Sequence, residues 1–193
     1  MIKIGILTFH RSVNNGAVMQ AYALSKRLQN ELKAYDAMVE IIDYHMPKED
    51  EYCKPSFFNS MKGINNILRI KRLYRLMQNP NTYRQQKRRI QVFNDAFKKL
   101  PLSEQYIYED DTRTLFAYIN SKYDIVIVGS DAVWNYNVLG FPNPYFLNKS
   151  VTVKKYTYAA SVFGMNYEEI PKNERKIIAD ALDSYELICT RDT

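Results

Sequence analysis

Apolar and polar positions follow two periods along this chain, and each change of period marks an element. Ile2 to Leu7 is a short apolar run of the kind that forms a first strand. Phe9 to Gly16 is a polar loop. From Ala17 to Leu32 the period becomes helical, and Val18, Ala21, Tyr22, Leu24, Leu28 and Leu32 share one broad face. Ala37 to Tyr44 reads as a second, parallel strand with Asp43 and Tyr44 at its carboxyl end. Strand, helix and strand at this spacing make a right-handed βαβ unit. His45 to Phe58 is irregular.

Met61 to Met77 and Tyr83 to Leu100 then read as two helices separated by Asn79-Pro80-Asn81. Pro101-Leu102-Ser103 stops the second. Asp110-Asp111-Thr112 can cap another, running to about Lys122. Asp124 to Val128 is a short apolar run, β-branched from Ile125 onward, as suits a strand buried on both faces. Lys155 to Ser161 is the next strand, ending in small residues before Gly164. Glu168-Glu169-Ile170-Pro171 begins a helix carrying Ile177, Ile178, Ala181 and Leu182. Ser184 to Asp192 reads as a last strand with Arg191 at its carboxyl end. This order predicts an α/β fold: a Rossmann-like parallel sheet over residues 1–193 with a basic helical insertion over residues 60–100.

Composition changes this picture in two places. The 193 residues suffice for one full domain with a core, and the opening run turns polar too soon for a signal peptide or membrane span. The two cysteines, Cys53 and Cys189, lie far apart and there are only two histidines, so no metal site is expected. Such cysteine usage fits a reducing cytosol. Charge is the second place. Between Lys62 and Lys99 eleven basic residues face Asp95 alone, a local excess of +10 within a total of +6, so the remainder is acidic. Three readings of this basic segment stand side by side. It is a solvated hairpin packed through its apolar stripe, a surface for an anionic membrane, or a nucleic-acid surface. Nucleic acid is the weakest of the three, because no known binding motif accompanies the charge.

Candidate chemistry gathers at two loops. The strand at Asp124 runs into Gly129-Ser130-Asp131, then Trp134-Asn135, and ligands of open α/β sheets bind beyond the carboxyl ends of strands. Gly129 admits close backbone approach. Ser130, Asp131 and Asn135 offer donors and acceptors, and Trp134 offers a flat face that suits a sugar ring. The alternative is an Asx-type turn with Trp134 as core filler. The first loop places Asn14, Asn15 and Gly16 at a helix N-terminus, whose free N–H groups suit phosphate, carboxylate or hydroxyl groups. Capping is the alternative role for an asparagine there. Neither GxGxxG nor a Walker A sequence is present, so nothing supports a dinucleotide or nucleotide cofactor.

Several segments together resemble the polysaccharide pyruvyl transferase family. They are Gly5-Ile-Leu-Thr-Phe-His-Arg-Ser-Val-Asn-Asn-Gly-Ala-Val-Met-Gln-Ala-Tyr-Ala-Leu24, Phe93 to Tyr106 with Pro101-Leu102-Ser103, Val128-Gly-Ser-Asp-Ala-Val-Trp-Asn135, Tyr158 to Ser161 through Gly164, and Thr190-Arg-Asp192. The first and third are the more specific. Two departures stand out: Ala132 occupies a position where the family pattern has Gln, and family members carry a second Rossmann-like domain that closes over the first as in GT-B glycosyltransferases.

The resemblance implies transfer of a pyruvyl unit from phosphoenolpyruvate to two sugar hydroxyls, forming a ketal on a cell-surface polysaccharide or its lipid-linked precursor. It places the donor largely in the second domain and the acceptor side here. Asp131 then acts as base or binds a hydroxyl. Asn14, Asn15, Gly16, Gly129, Ser130, Trp134 and Asn135 line the site, His10 is a candidate acid, and Ser161 and Arg191 are supporting candidates. The implied partners are phosphoenolpyruvate and a glycan, completed by a C-terminal domain or second polypeptide. The implied location is the cytoplasm, with the inner membrane face within reach of residues 62–99. A truncated chain, inactive alone, is one expectation. A non-catalytic glycan-binding or partner subunit on the same fold is the alternative, and a GT-B glycosyltransferase is a further enzyme reading.

Overall fold

A computed structural model describes residues 1–47, 49, 80–109 and 112–191. In chain order these form β1 (Ile2–Leu7), α1 (Asn15–Glu31), β2 (Ala37–Ile41), β3 (Tyr44–His45), α2 (Pro80–Phe97), β4 (Ile107–Tyr108), α3 (Thr112–Lys122), β5 (Ile125–Gly129), α4 (Tyr136–Leu139), β6 (Lys154–Tyr158) and α5 (Lys172–Leu182). Short 3₁₀ turns lie at Pro144–Phe146 and Tyr167–Glu169. The expected helix at Met61–Met77 and the proposed caps Asp110 and Asp111 lie outside the described residues.

The fold is α/β. Four strands form one parallel sheet in the order β2-β1-β5-β6, and β3 and β4 form a separate parallel pair. Ile4 lies beside Val39 on one side and Ile125 on the other. The order puts a switch between β1 and β5. From β1 the chain moves outward to β2, whereas from β5 it moves the opposite way to β6. A crevice opens at such a point beyond the carboxyl ends of the two strands, because their onward loops diverge.

Period-2 alternation sends the side chains of each strand to two separate cores. On one face Ile4, Ile6, Val39 and Ile41 meet Val18, Ala21 and Leu24 of α1 and Phe93 and Phe97 of α2. On the other, Leu7, Val126 and Val128 meet Leu115, Phe116 and Ile119 of α3, Leu139 of α4, and Ile178 and Ala181 of α5. The charged stripe of α2 therefore faces water, while its Phe93–Phe97 edge is docked on the sheet.

Several expected boundaries move, each for a local reason. The second strand ends at Ile41 instead of Tyr44, because Ile41 bonds outward to Pro101 and Ser103 while Asp43 N–H donates to Ser103 Oγ. Tyr44 is thereby released to pair with Ile107 in the small sheet. The helix expected from Tyr83 starts at Pro80, where a missing N–H costs nothing in the first turn. The helix expected from Glu168 starts at Lys172, after a 3₁₀ turn and Pro171. β5 is buried on one face only: Ile125 and Ile127 are half-covered, and a groove of about 560 Å³ runs beside them between Leu24, Leu28, Tyr156 and Tyr158. The expected last strand is reduced to isolated bridges, Tyr156 with Leu187 and Ala160 with Thr190. That segment lies at the sheet edge, with Leu187 61% and Ile188 41% exposed.

Candidate functional site

The loop after β1 is held by a buried polar frame. Asp43 accepts two bonds from Arg11, both 2.6 Å, and one from His10 Nε2 at 3.1 Å. Burial opposes ionisation of Asp43, but the His10 and Arg11 hydrogen bonds outweigh it and hold the carboxyl down to about 2. The Arg11 guanidinium also lies 4.5 Å from the centre of the Tyr106 ring. His10 Nδ1 is 3.1 Å from the Thr8 carbonyl. Both ring nitrogens thus face oxygen atoms within the protein. His10 is fully enclosed, and neither nitrogen reaches the crevice. The expectation of His10 as an acid in the site is therefore corrected: it ties the end of β1 to the chain after β2.

From this frame the loop delivers Asn14 to α1. Asn14 is the N-cap, its Oδ1 accepting from Gly16 N–H at 2.8 Å, so its side chain has the capping role. A β-carbon at Gly16 would sit 3.3 Å from that same oxygen, so the tight cap favours glycine. Asn15, the first helical residue, is exposed.

On the facing wall, β5 ends at Gly129. Its φ is +114°, and a β-carbon there would fall 2.3 Å from the Tyr158 carbonyl oxygen. Glycine is thus required by backbone crowding from β6. The Gly129–Ser130 peptide is cis. Ser130 Oγ donates to Gln20 Oε1 at 2.8 Å. Asp131 Oδ1 accepts from Ala132 N–H at 2.7 Å. Burial raises the Asp131 carboxyl above the usual carboxylate value, opposed by the Ala132 bond and the charge of Arg191.

The two walls meet in a cleft of about 510 Å³ lined by Phe9, Ser12, Asn14, Asn15, Arg89 and Asp131 among others. It lies at the switch point between β1 and β5. Arg89 enters from α2, with one guanidinium nitrogen donating to the Val13 carbonyl at 3.1 Å. The cleft therefore offers a raised carboxylate, exposed amide side chains and a cation. That set can accept a proton from a hydroxyl and hold polar or anionic groups nearby.

The remaining expected residues are placed differently. Trp134 is 3% exposed, stacks on Phe146 at 5.5 Å, and donates its indole N–H to the Tyr145 carbonyl. The sugar-platform expectation is corrected: this indole is core. Asn135 is buried and caps α4, accepting from Val138 N–H. Ser161 is buried and joins the loops after β5 and β6. Its N–H donates to the Asp131 carbonyl, its carbonyl accepts from Trp134 N–H, and its Oγ accepts from Phe163 N–H. Arg191 is exposed, and its N–H donates to the Ala160 carbonyl.

Gln20, Ser12 and Arg89 were not singled out in the sequence. Gln20 carried a readable signal, since it sits one turn from both Ala17 and Leu24 on the buried stripe. Arg89 was hidden inside a basic run.

The family model for polysaccharide pyruvyl transferase matches residues 14–193. The chain belongs to that family. The matched range takes in Asn14, Asn15, Arg89 and Asp131 of the cleft lining, while Phe9, Ser12 and Val13 precede it. Among curated proteins none matches this chain. A polysaccharide-directed transferase is thus the family's function, and a glycan is the acceptor class it implies. Among the described residues, no group of three or more His, Cys, Asp or Glu is placed to hold a metal ion. None of the described helices is long and apolar enough to cross a membrane.

Proposed function

We propose that this chain transfers a pyruvyl unit from phosphoenolpyruvate to two hydroxyls of a polysaccharide sugar, and that its cleft forms the acceptor-facing wall. The observation that carries the reading is the meeting of Asn14, Asn15 and Asp131 in one cleft at the switch point of a family member's sheet. The net reaction joins both sugar oxygens to C2 of phosphoenolpyruvate and breaks the bond from C2 to the phosphate oxygen; of the two hydroxyl protons, one is balanced by the proton added to C3 and the other leaves on phosphate. Asp131 takes a proton from one hydroxyl. A carboxylate raised by burial is a better base near neutral pH than a solvated one. Asn15 and the Ser12 hydroxyl orient the neighbouring sugar oxygens. The acid that protonates C3 and the groups that hold most of the donor's charge belong to a second domain or polypeptide closing over the cleft. Arg89 is the cation on this wall that meets the donor's negative edge. The basic surface of α2 is the part through which such a cytoplasmic protein would meet the inner membrane face.

The test is phosphate release from phosphoenolpyruvate with lipid-linked glycan as acceptor, with and without a candidate partner polypeptide. Asp131→Asn should lower the rate by about 10²-fold or more. A rate unchanged in that variant removes Asp131 as the base. One observation favours a second reading, a non-catalytic glycan-binding or partner subunit: the exposed apolar edge at Leu187 and Ile188 is a surface that protein partners cover. Glycan binding without phosphate release under any pairing would establish that reading instead.

A further inference from the structure

Gln20 bonds both walls of the cleft at once. Its Nε2 lies 2.8 Å from the Phe9 carbonyl, 2.9 Å from the Ala17 carbonyl and 3.0 Å from Thr8 Oγ1. Carbonyl oxygens only accept, so the amide nitrogen must face them, and the orientation of the side chain is fixed by its partners. Its Oε1 is thereby turned toward β5, where it accepts from Ser130 Oγ. Ser130 and Gln20 are 110 residues apart in sequence, and the link spans the point where the sheet order reverses. Ser130 is bonded directly to Asp131, and Phe9 belongs to the loop that ends in Asn14. One side chain thus links the chain leading into Asp131 with the chain leading into Asn14.

We propose that Gln20 is a positioning residue: it holds Asp131 at its working distance from the Asn14–Asn15 wall, acting through Ser130. The assignment rests on the reading of the cleft as the acceptor site. Gln20 lines the groove beside β5 and β6, not the cleft, so it acts on the reaction through Asp131. The charge that bears on Asp131 is that of Arg191, beyond β6, while Arg89 lines the same cleft.

The experiment uses the full chain and two readouts. The first is the titration of the Asp131 carboxyl by carbon NMR, with its resonance identified from Asp131→Asn. Gln20→Met keeps the length and removes every polar bond; Ser130→Ala removes only the bond between the walls. Both should let water reach Asp131 and lower its midpoint by about half a pH unit or more toward the solvated value. Ser130→Thr, which keeps the hydroxyl, should restore it. A midpoint unchanged in folded Gln20→Met overturns the proposal. If that variant fails to fold, an unchanged midpoint in Ser130→Ala overturns it equally. The second readout is phosphate release with phosphoenolpyruvate and glycan. Misplacement of the base should lower kcat about 10-fold or more while the acceptor KM stays within about two-fold. An equal loss through KM alone overturns the positioning role. A wild-type chain that transfers nothing defeats the functional reading, while the titration still decides whether Gln20 places Asp131.

Discussion

Gly129 allows no side chain. The carbonyl of Tyr158 occupies the space a β-carbon would need, and the positive φ adds strain for any L-residue. Gly129→Ala should cost about 3 kcal/mol or more, read as a lowered urea midpoint. Asp43 makes a second prediction at this scale. Its carboxyl titrates near 2 in the folded protein against a usual value of 3.8. A depressed folded value means the stabilisation is complete above about pH 4 and is lost as pH falls toward 2, roughly 2 kcal/mol in all. Urea midpoints measured across that window should fall with acid in the wild type and change less in Asp43→Asn. At neutral pH that variant should already be weaker by about 3 kcal/mol, since it leaves the His10 and Arg11 donors facing a neutral amide. Single residues were legible where their role is local. The cap at Asn14 needs only the next two residues. Trp134 was not legible, because an indole reads as platform or core according to whether something covers it. Here Phe146 and Tyr145, from a later turn, do.

For whole elements, α2 separates two kinds of information. Its apolar spacing specified a face, and that face is the one docked on the sheet through Phe93 and Phe97. Its charge density told nothing of where the helix would lie. Phe97→Ala should cost about 3 kcal/mol, whereas Lys98→Ala, at a side chain 76% exposed, should change stability by less than about 0.5 kcal/mol. Comparable losses from both would mean the helix is not seated as described. The segment at 186–191 shows the opposite case. Its alternation is that of a strand, and its backbone does run along β6, with Glu186 N–H donating to Lys155 and Thr157 N–H to Leu187. A regular ladder is absent because the bonds come at intervals, from Glu186 and Leu187 to β6 and from Cys189 and Arg191 to Ala160 beyond its end.

In the molecule as a whole, one sheet separates two cores, and the probes of folding divide the same way. Trp134, the single tryptophan, reports on the face packed by α3, α4 and α5, while among the described residues the two longest helices, α1 and α2, lie on the other face. Because β1 and β5 contribute to both, unfolding should be one transition, with tryptophan fluorescence and far-ultraviolet dichroism giving the same urea midpoint. Two separated midpoints would show that each face melts alone. The family assignment also belongs to this scale, since the match extends over residues 14–193 and not over one motif.

The amino-acid sequence by itself determined the parallel α/β class, the strand cores, the helix faces and the two loops that follow β1 and β5. Each follows from periodicity or capping, which act over a few residues and leave a local trace. Tertiary structure alone decided that Asp131 meets Asn14 across one cleft, that Gln20 joins the walls, that Arg89 enters from α2, and that His10 and Trp134 are enclosed. Those outcomes depend on contacts between residues tens to more than a hundred positions apart. Packing selects such contacts by shape and by the satisfaction of buried donors, and neither leaves a period in the chain.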